Sequence, residues 1–229
     1  MRAPISVVIP TLNVAGLLPG AAEALMAGVT EGVIGELIVS DGGSGDGTLD
    51  VARALGAEIV EGPAGRGGQI ARGVAVARGR WVLILHADTH LSAHWVEAAL
   101  RHMTEHEGEA GYFRLVFRAA GVAPKLVALG ANLRSRVFGL PYGDQGLLVS
   151  RSLLDSVGGV PDVALMEDVV LARALKGRLR MLEAEAQTSA ARYLAEGWVR
   201  RVMRNLWTLA RYLLGARPDA LVRGYEARR

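Results

Sequence analysis

The sequence predicts an α/β domain built on a mostly parallel sheet flanked by helices. Short charge-free apolar runs at residues 5–9, 37–39, 59–60 and 81–85 are separated by stretches with helical spacing. Runs of that kind suit strands covered on both faces. Their alternation with helices argues for parallel pairing through right-handed crossovers. Half of the 229 residues are apolar (51%), enough for one large buried core.

The elements run in order. Residues 5–9 (ISVVI) are closed by Pro10 and read as the first strand. Leu17, Leu18, Ala21, Ala22, Leu25 and Met26 fall at helical spacing. Residues 37–39 form the second strand and run into D-G-G-S-G-D-G-T (residues 41–48), with a helix through Leu55. Residues 59–60 are a third brief strand, followed by G-P-A-G-R-G-G-Q (62–69) and a helix ending near Gly79. The strand at 81–85 (WVLIL) ends abruptly in H-A-D-T, and a helix over 93–103 comes next. The stretch 111–118 (GYFRLVFR) then alternates strictly, with Phe113, Leu115 and Phe117 on one face and Tyr112, Arg114, Val116 and Arg118 on the other. That is a half-exposed strand. A helix over 122–138, the segment P-Y-G-D-Q-G, a strand at 147–149, a helix over 166–175, a strand beginning at 181–182 and a last helix over 198–214 complete the chain. No repeat or low-complexity linker interrupts it. The expected division is a main domain over 1–190 and a basic helical extension over 191–229.

Composition removes several classes. Without cysteine there is no disulfide, thiolate metal site or thiol nucleophile, which fits the cytosol. Charge-free runs are too short or too broken by glycine and proline to span a bilayer, and no basic-then-apolar signal opens the sequence. The expected location is therefore the cytoplasm, with any membrane contact peripheral and at the inner face. Net charge is +3, but from Arg192 onward nine arginines face three acidic residues, so residues 1–191 are slightly acidic. That distribution, and a tail without RNA-binding signatures, argues against nucleic acid as a partner.

Candidate chemistry sits at the strand ends, where open α/β sheets gather ligands. Asp88 can hold a hard cation that in turn holds a diphosphate; the plain alternative is an N-cap for the next helix. Asp41 can accept two N–H donors from a nucleobase, with Gly42 letting backbone approach closely; the alternative is an ordinary strand-to-helix turn. Arg66, among glycines before a helix, suits a phosphate or a base edge, or is a solvated loop charge. Glu167 and Asp168 open an apolar helix. They either complement its dipole or send one carboxylate into a cleft as general base, since adjacent helical residues point about 100° apart.

Other chemistries fail on spacing. The first strand is followed by P-T-L-N, not by the glycine fingerprint of a dinucleotide fold. The Asp41 loop lacks the ligand order of a calcium hand. His86, His90 and His94 are spaced by four, yet His86 ends a strand, so the three cannot share a helix face and zinc is not expected. No G-x-S-x-G elbow is present.

Together V-V-I-P-T-L-N, E-L-I-V-S-D-G-G-S-G-D-G-T, G-R-G-G-Q, H-A-D-T, Y-G-D-Q-G and M-E-D-V resemble family 2 glycosyltransferases of the GT-A fold, in order and over about residues 4–190. The resemblance implies a Rossmann-like GT-A sheet and inverting sugar transfer from a nucleoside-diphosphate sugar to an acceptor hydroxyl, with a divalent metal, Mg2+ or Mn2+. It implies that Pro10, Thr11, Asn13, Asp41, Gly42, Arg66 and Gln69 bind the nucleotide, with Asp41 on the base. Asp88 would hold the metal. Asp168, with Glu167 beside it, would be the catalytic base, and His86, Asp144 and Gln145 would face the sugar or acceptor. Two positions depart from the family pattern: His86 replaces the first carboxylate of D-x-D, and Val14 replaces an acid that often succeeds P-T-x-N. A nucleotidyltransferase shares such a sheet, but that class carries basic residues straight after strand one, and none occurs between Arg2 and Arg53.

In the last helix, Trp198, Val202, Leu206, Leu209 and Leu213 form an apolar stripe flanked by Val199, Met203 and Ala210, while Arg200, Arg204 and Arg211 lie along another face. Such a helix packs its stripe on the domain or on a second copy in a homo-oligomer, leaving a solvated arginine face. Otherwise it lies on a membrane or meets a lipid-linked acceptor.

Overall fold

In the computed structural model of the chain, residues 3–163 and 165–216 are described; the part of the expected basic extension beyond Ala216 lies outside them. The strands are β1 (Ile5–Thr11), β2 (Ile34–Asp41), β3 (Glu58–Glu61), β4 (Trp81–Ile84), β5 (Thr89–Leu91), β6 (Ala110–Phe117), β7 (Leu147–Ser150) and β8 (Leu179–Thr188). They form one sheet in the order β3-β2-β1-β4-β7-β6-β8-β5. The half containing β3, β2, β1 and β4 is parallel, as expected. Beyond it the sheet is mixed: β7 runs antiparallel to both β4 and β6, β8 is parallel to β6, and β5 is antiparallel to β8. Consequently the C-terminal ends of β1, β2, β4, β6 and β8 and the N-terminal end of β7 meet on one edge.

The helices are α1 (Leu18–Thr30), α2 (Thr48–Ala54), α3 (Arg66–Val76), α4 (Trp95–Glu105), α5 (Val122–Phe138), α6 (Arg151–Ser156), α7 (Glu167–Ala174), α8 (Ala191–Glu196) and α9 (Trp198–Leu213). Strand period explains how two layers share the central strands. Ile5, Val7 and Ile9 of β1, with Leu83 and Leu85 at β4, enter one core with Leu18, Leu25 and Trp95. Val8, Val82 and Ile84 enter the opposite core with Ile70, Val74 and Leu171. Each large aliphatic side chain so buried contributes about 1.5–3 kcal/mol. Tyr112, expected on the same face as Arg114, is buried, while Arg114 is exposed.

Three short elements had no sequence signal: β5, α6 and α8. The first changes the reading of Asp88. That residue leads directly into β5, and the next helix begins only at Trp95, so Asp88 caps no helix.

One glycine sets the distance between α3 and the sheet. A Cβ on Gly73 would lie 2.5 Å from Val8 Cγ1 and 3.4 Å from Ser40 Cβ, all inside the core. Gly73→Ala should therefore lower unfolding free energy by about 1–3 kcal/mol through overpacking, measured as a fall in denaturation midpoint with unchanged m-value.

Candidate active site

The loops after β1 and β2 are zipped together by their own side chains. Asn13, at φ 53°, donates its N–H to Ser44 Oγ (2.8 Å) and accepts from Gly45 N at Oδ1 (2.9 Å). Val14 N donates to Thr48 Oγ1 and Ala15 N to Asp46. Asp41 is wholly buried, and its carboxylate accepts from Thr11 Oγ1, Ser44 Oγ, Gly43 N and Ser44 N at 2.6–2.8 Å. Four donors fill the four lone-pair sites of a carboxylate. Here Asp41 organises the loop and offers no open oxygen to a base; those hydrogen bonds hold its carboxyl below the usual range against the effect of burial.

Gln69, expected on the nucleotide, is turned inward. Its amide donates to Thr11 O and Ser40 O and accepts from Gly65 N, tying β1, β2 and the start of α3 together. A Cβ on Gly42 would come within 3.1 Å of both Ala64 Cα and that amide, so the space Gly42 leaves is taken by Gln69. Pro10 and Thr11 lie at the end of β1, on the same edge.

The deeper part of the edge is a cleft lined by Arg66, His86, Asp88, Asp144 and Asp168. Asp168, in the first turn of α7, accepts from Gly143 N at Oδ2 (2.9 Å) and from Val169 N at Oδ1 (2.8 Å). Glu167, expected beside it as catalytic, is 2% exposed and held in an ion pair with Arg66. It does not line this cleft, and it acts on Arg66 and Asp168 from behind. Met166, at φ 67°, turns the backbone into α7. That left-handed conformation costs a non-glycine residue about 1–2 kcal/mol.

His86 and Asp144 are brought together by a 3₁₀ turn, Gly143–Gln145. The His86 ring lies so close that a Cβ on Gly143 would be 2.5 Å from Nε2. Burial holds His86 well below its ordinary pKa, helped by Arg66 and Arg192, so the ring is neutral. Burial pushes Asp144 up to about 6; Arg134 opposes this, while Asp168 and Asp88 add to it. Burial, reinforced by Asp168 and opposed by Arg66, raises Glu167 to about 7. These couplings show that Asp88, Asp144, Glu167, Asp168 and Arg66 form one electrostatic group. Gln145, expected to face the sugar, is wholly buried: its amide contacts Ser135 Oγ, Phe113 O and Tyr142 N.

Sequence reasoning missed the opposite wall. Arg192, Tyr193, Asn205 and Thr208 line the cleft from α8 and α9, and Arg134 stacks on Tyr142 with its guanidinium 3.4 Å from the ring centroid. The available signal was positional: β8 ends at Thr188 on the same edge, and Arg192 comes within one turn of it.

A divalent cation fits the donor chemistry only in part. Asp88 offers a hard carboxylate to the cleft, where its side chain meets Thr89 Oγ1 at 3.5 Å. Among the described residues no group of three or more His, Asp or Glu forms a metal cage. Such a site suits a cation whose remaining ligands are phosphate oxygens and water.

Comparison with known proteins is decisive at the level of family. Residues 6–124 match the sequence model of glycosyl transferase family 2. The chain belongs to this family. Glycosyltransferases of PGL/p-HBAD biosynthesis from Mycobacterium bovis and Mycobacterium tuberculosis are 41% identical to it over 99 residues. That match covers 40% of this chain and 38% of theirs, so the family 2 chain spans well under half the length of these relatives in alignment. S. aureus TarS (residues 1–349) has the same fold, with TM-score 0.63 and 18% identity over 80% of this chain and 60% of that one. Glucosyl-3-phosphoglycerate synthase from Mycobacterium tuberculosis, solved with phosphoglyceric acid, gives TM-score 0.58 and 25% identity over 89% and 78%. The GT-A architecture expected from the sequence is thus the observed one, in its mixed-sheet form.

A buried acid with a raised pKa keeps its proton longer in the folded chain than in the unfolded one. The folded state then binds more protons, and stability falls as pH rises from Asp144's ordinary value of 3.8 through about 6. Asp144→Asn should remove this loss, stabilising the chain at pH 8 relative to pH 5 by about 1–2 kcal/mol compared with wild type. Thermal melts of both proteins across that range read the difference directly.

Proposed function

We propose that this family 2 chain is an inverting glycosyltransferase, moving a sugar from a nucleoside-diphosphate sugar to an acceptor hydroxyl with a divalent metal. The observation that carries the reading is the placement of Asp88 and Asp168 in one cleft, with the Asn13 and Asp41 loops on the same sheet edge. Related folds support the choice of donor: the Mycobacterium tuberculosis synthase is also solved with Mn2+, uridine diphosphate and glucosyl-3-phosphoglycerate, and TarS with UDP-GlcNAc.

In this reading the nucleoside lies across the zipped loops after β1 and β2, which Asp41 and Gln69 keep rigid. Arg66 sits at the N-terminus of α3, where a guanidinium and backbone N–H groups favour phosphate. Asp88 is the ligand for Mg2+ or Mn2+, which when bound neutralises charge on the departing diphosphate. Asp168 takes the proton from the acceptor hydroxyl. The acceptor oxygen forms its bond to the anomeric carbon as the bond from that carbon to the diphosphate breaks on the opposite face, so configuration inverts. The amides of Gly143 and Val169 leave each oxygen of Asp168 a further lone pair for that proton. Neutral His86, the Asp144 carboxyl and Arg192 border the space for the sugar and acceptor.

Two outcomes are expected. Asp168→Asn keeps the size of the side chain and one of its two acceptors but cannot take the proton, so turnover of the sugar donor should fall by about 10²–10⁴-fold. Nucleotide binding by calorimetry should be unchanged, and full turnover in this variant would remove Asp168 from the reaction. Metal alone should barely alter thermal stability, because one carboxylate is a weak site. Metal with a nucleoside diphosphate at a hundredfold excess over Kd should add ~2.7 kcal/mol, about 5–10 °C for a chain of this size. Asp88→Asn should erase the metal-dependent part; an increment that survives it would place the cation elsewhere.

A further inference from the structure

The last helix leaves much of its apolar surface facing outward. Two of its arginines turn inward: Arg201 and Arg204 both pair with Glu196, and Arg201 is 7% exposed, while Arg200 stays on the surface. Five of its apolar residues turn outward, Val199, Met203, Leu206, Trp207 and Leu213, each more than half exposed, while Trp198 packs against Phe117 and Tyr193. Of the apolar set only Leu209 is buried, against Met166 and Val169. A helix that simply packed on the domain would show the reverse.

A second helix repeats the pattern. Val122, Leu126, Leu129, Leu133 and Val137 of α5 recur every three or four residues, and all are more than half exposed. The two helices are neighbours: Ala128 of α5 and Trp198 of α9 join the same cluster with Leu115 and Phe117. Exposed apolar stripes on two neighbouring helices mark an interaction site.

Charge decides the partner. Residues 119–139 and 197–216 contain no acidic residue, and the exposed charges beside the stripes, Lys125, Arg136 and Arg200, are all cationic. Two copies joined through these faces would bring like charges together. An anionic lipid leaflet would satisfy both features, with Trp207 suited to the headgroup boundary. No helix among the described residues is long and apolar enough to cross a membrane, so such contact is peripheral.

We infer that α5 and α9 together form a membrane-docking face for an anionic lipid surface. The inference stands apart from the catalytic reading, although α9 lends Asn205 and Thr208 to the cleft and docking would set that cleft beside the lipid.

The test is flotation of the full chain with phosphatidylcholine vesicles, with and without phosphatidylglycerol. The chain should float with the anionic vesicles, lose binding as salt rises, and float poorly with phosphatidylcholine alone. The double substitutions Leu129→Asp with Leu133→Asp, and Met203→Asp with Trp207→Asp, should each cut the bound fraction about tenfold or more. All four sites are exposed, so circular dichroism melts and the nucleotide response should stay as in wild type, separating failure of docking from failure of the catalytic reading. Absence of flotation with either vesicle would overturn the inference. So would flotation that survives both double substitutions, or a dimer by light scattering that the same substitutions split.

Discussion

The Arg66–Glu167 ion pair joins the first residue of α3 to the first residue of α7 across the C-terminal edge of the sheet. Glu167 is almost wholly removed from water, and a carboxylate in that position without a cation costs about 3–5 kcal/mol when its partner is lost. The pair therefore fixes where α7 starts. Asp168 is the next residue, and its carboxylate reaches back to Gly143 N, which fixes the turn carrying Asp144. One ion pair, one helix start and one 3₁₀ turn thus set three carboxylates at defined places around a small volume. Burial is the chief reason Asp144 and Glu167 hold protons more tightly than ordinary acids do; repulsion from Asp168 adds to it, and Arg134 and Arg66 oppose it.

Much of this was legible in the residues, and the parts that were not share a physical cause. The two-faced burial of β1 and β4 could be read because an uninterrupted apolar run between turn residues suits a strand covered on both sides and little else in an α/β domain. The positions of Asp88 and Asp168 came from strand ends and a helix start. The two glutamines were not legible. An amide that could hydrogen-bond a sugar can equally tie backbone strands together, and both Gln69 and Gln145 do the latter. Nor could Asp41's saturation be foreseen, because its donors Thr11 and Ser44 come from the end of β1 and the loop after β2, whose approach depends on the parallel register of β1 and β2. Short elements such as β5 carry too few residues for a period to register, and without β5 Asp88 resembles a helix cap.

The helix α9 shows the limit of periodicity most clearly. Spacing identifies a stripe, but it does not say whether the stripe faces the core or the outside. What settles the direction here is Glu196, placed at the end of α8 with two arginines one and two turns away. Burying that charge cluster beside the cleft leaves the rest of the apolar stripe no interior to enter, because the space beneath α9 is already taken by those polar groups and by Trp198, Leu209 and Tyr212. The polar lining that the cleft needs and the apolar face that meets the outside are therefore two consequences of one orientation. A change that rotated α9 to bury its stripe would take Asn205 and Thr208 out of the cleft wall at the same time, so the surface and the site are coupled through the rotation of a single helix.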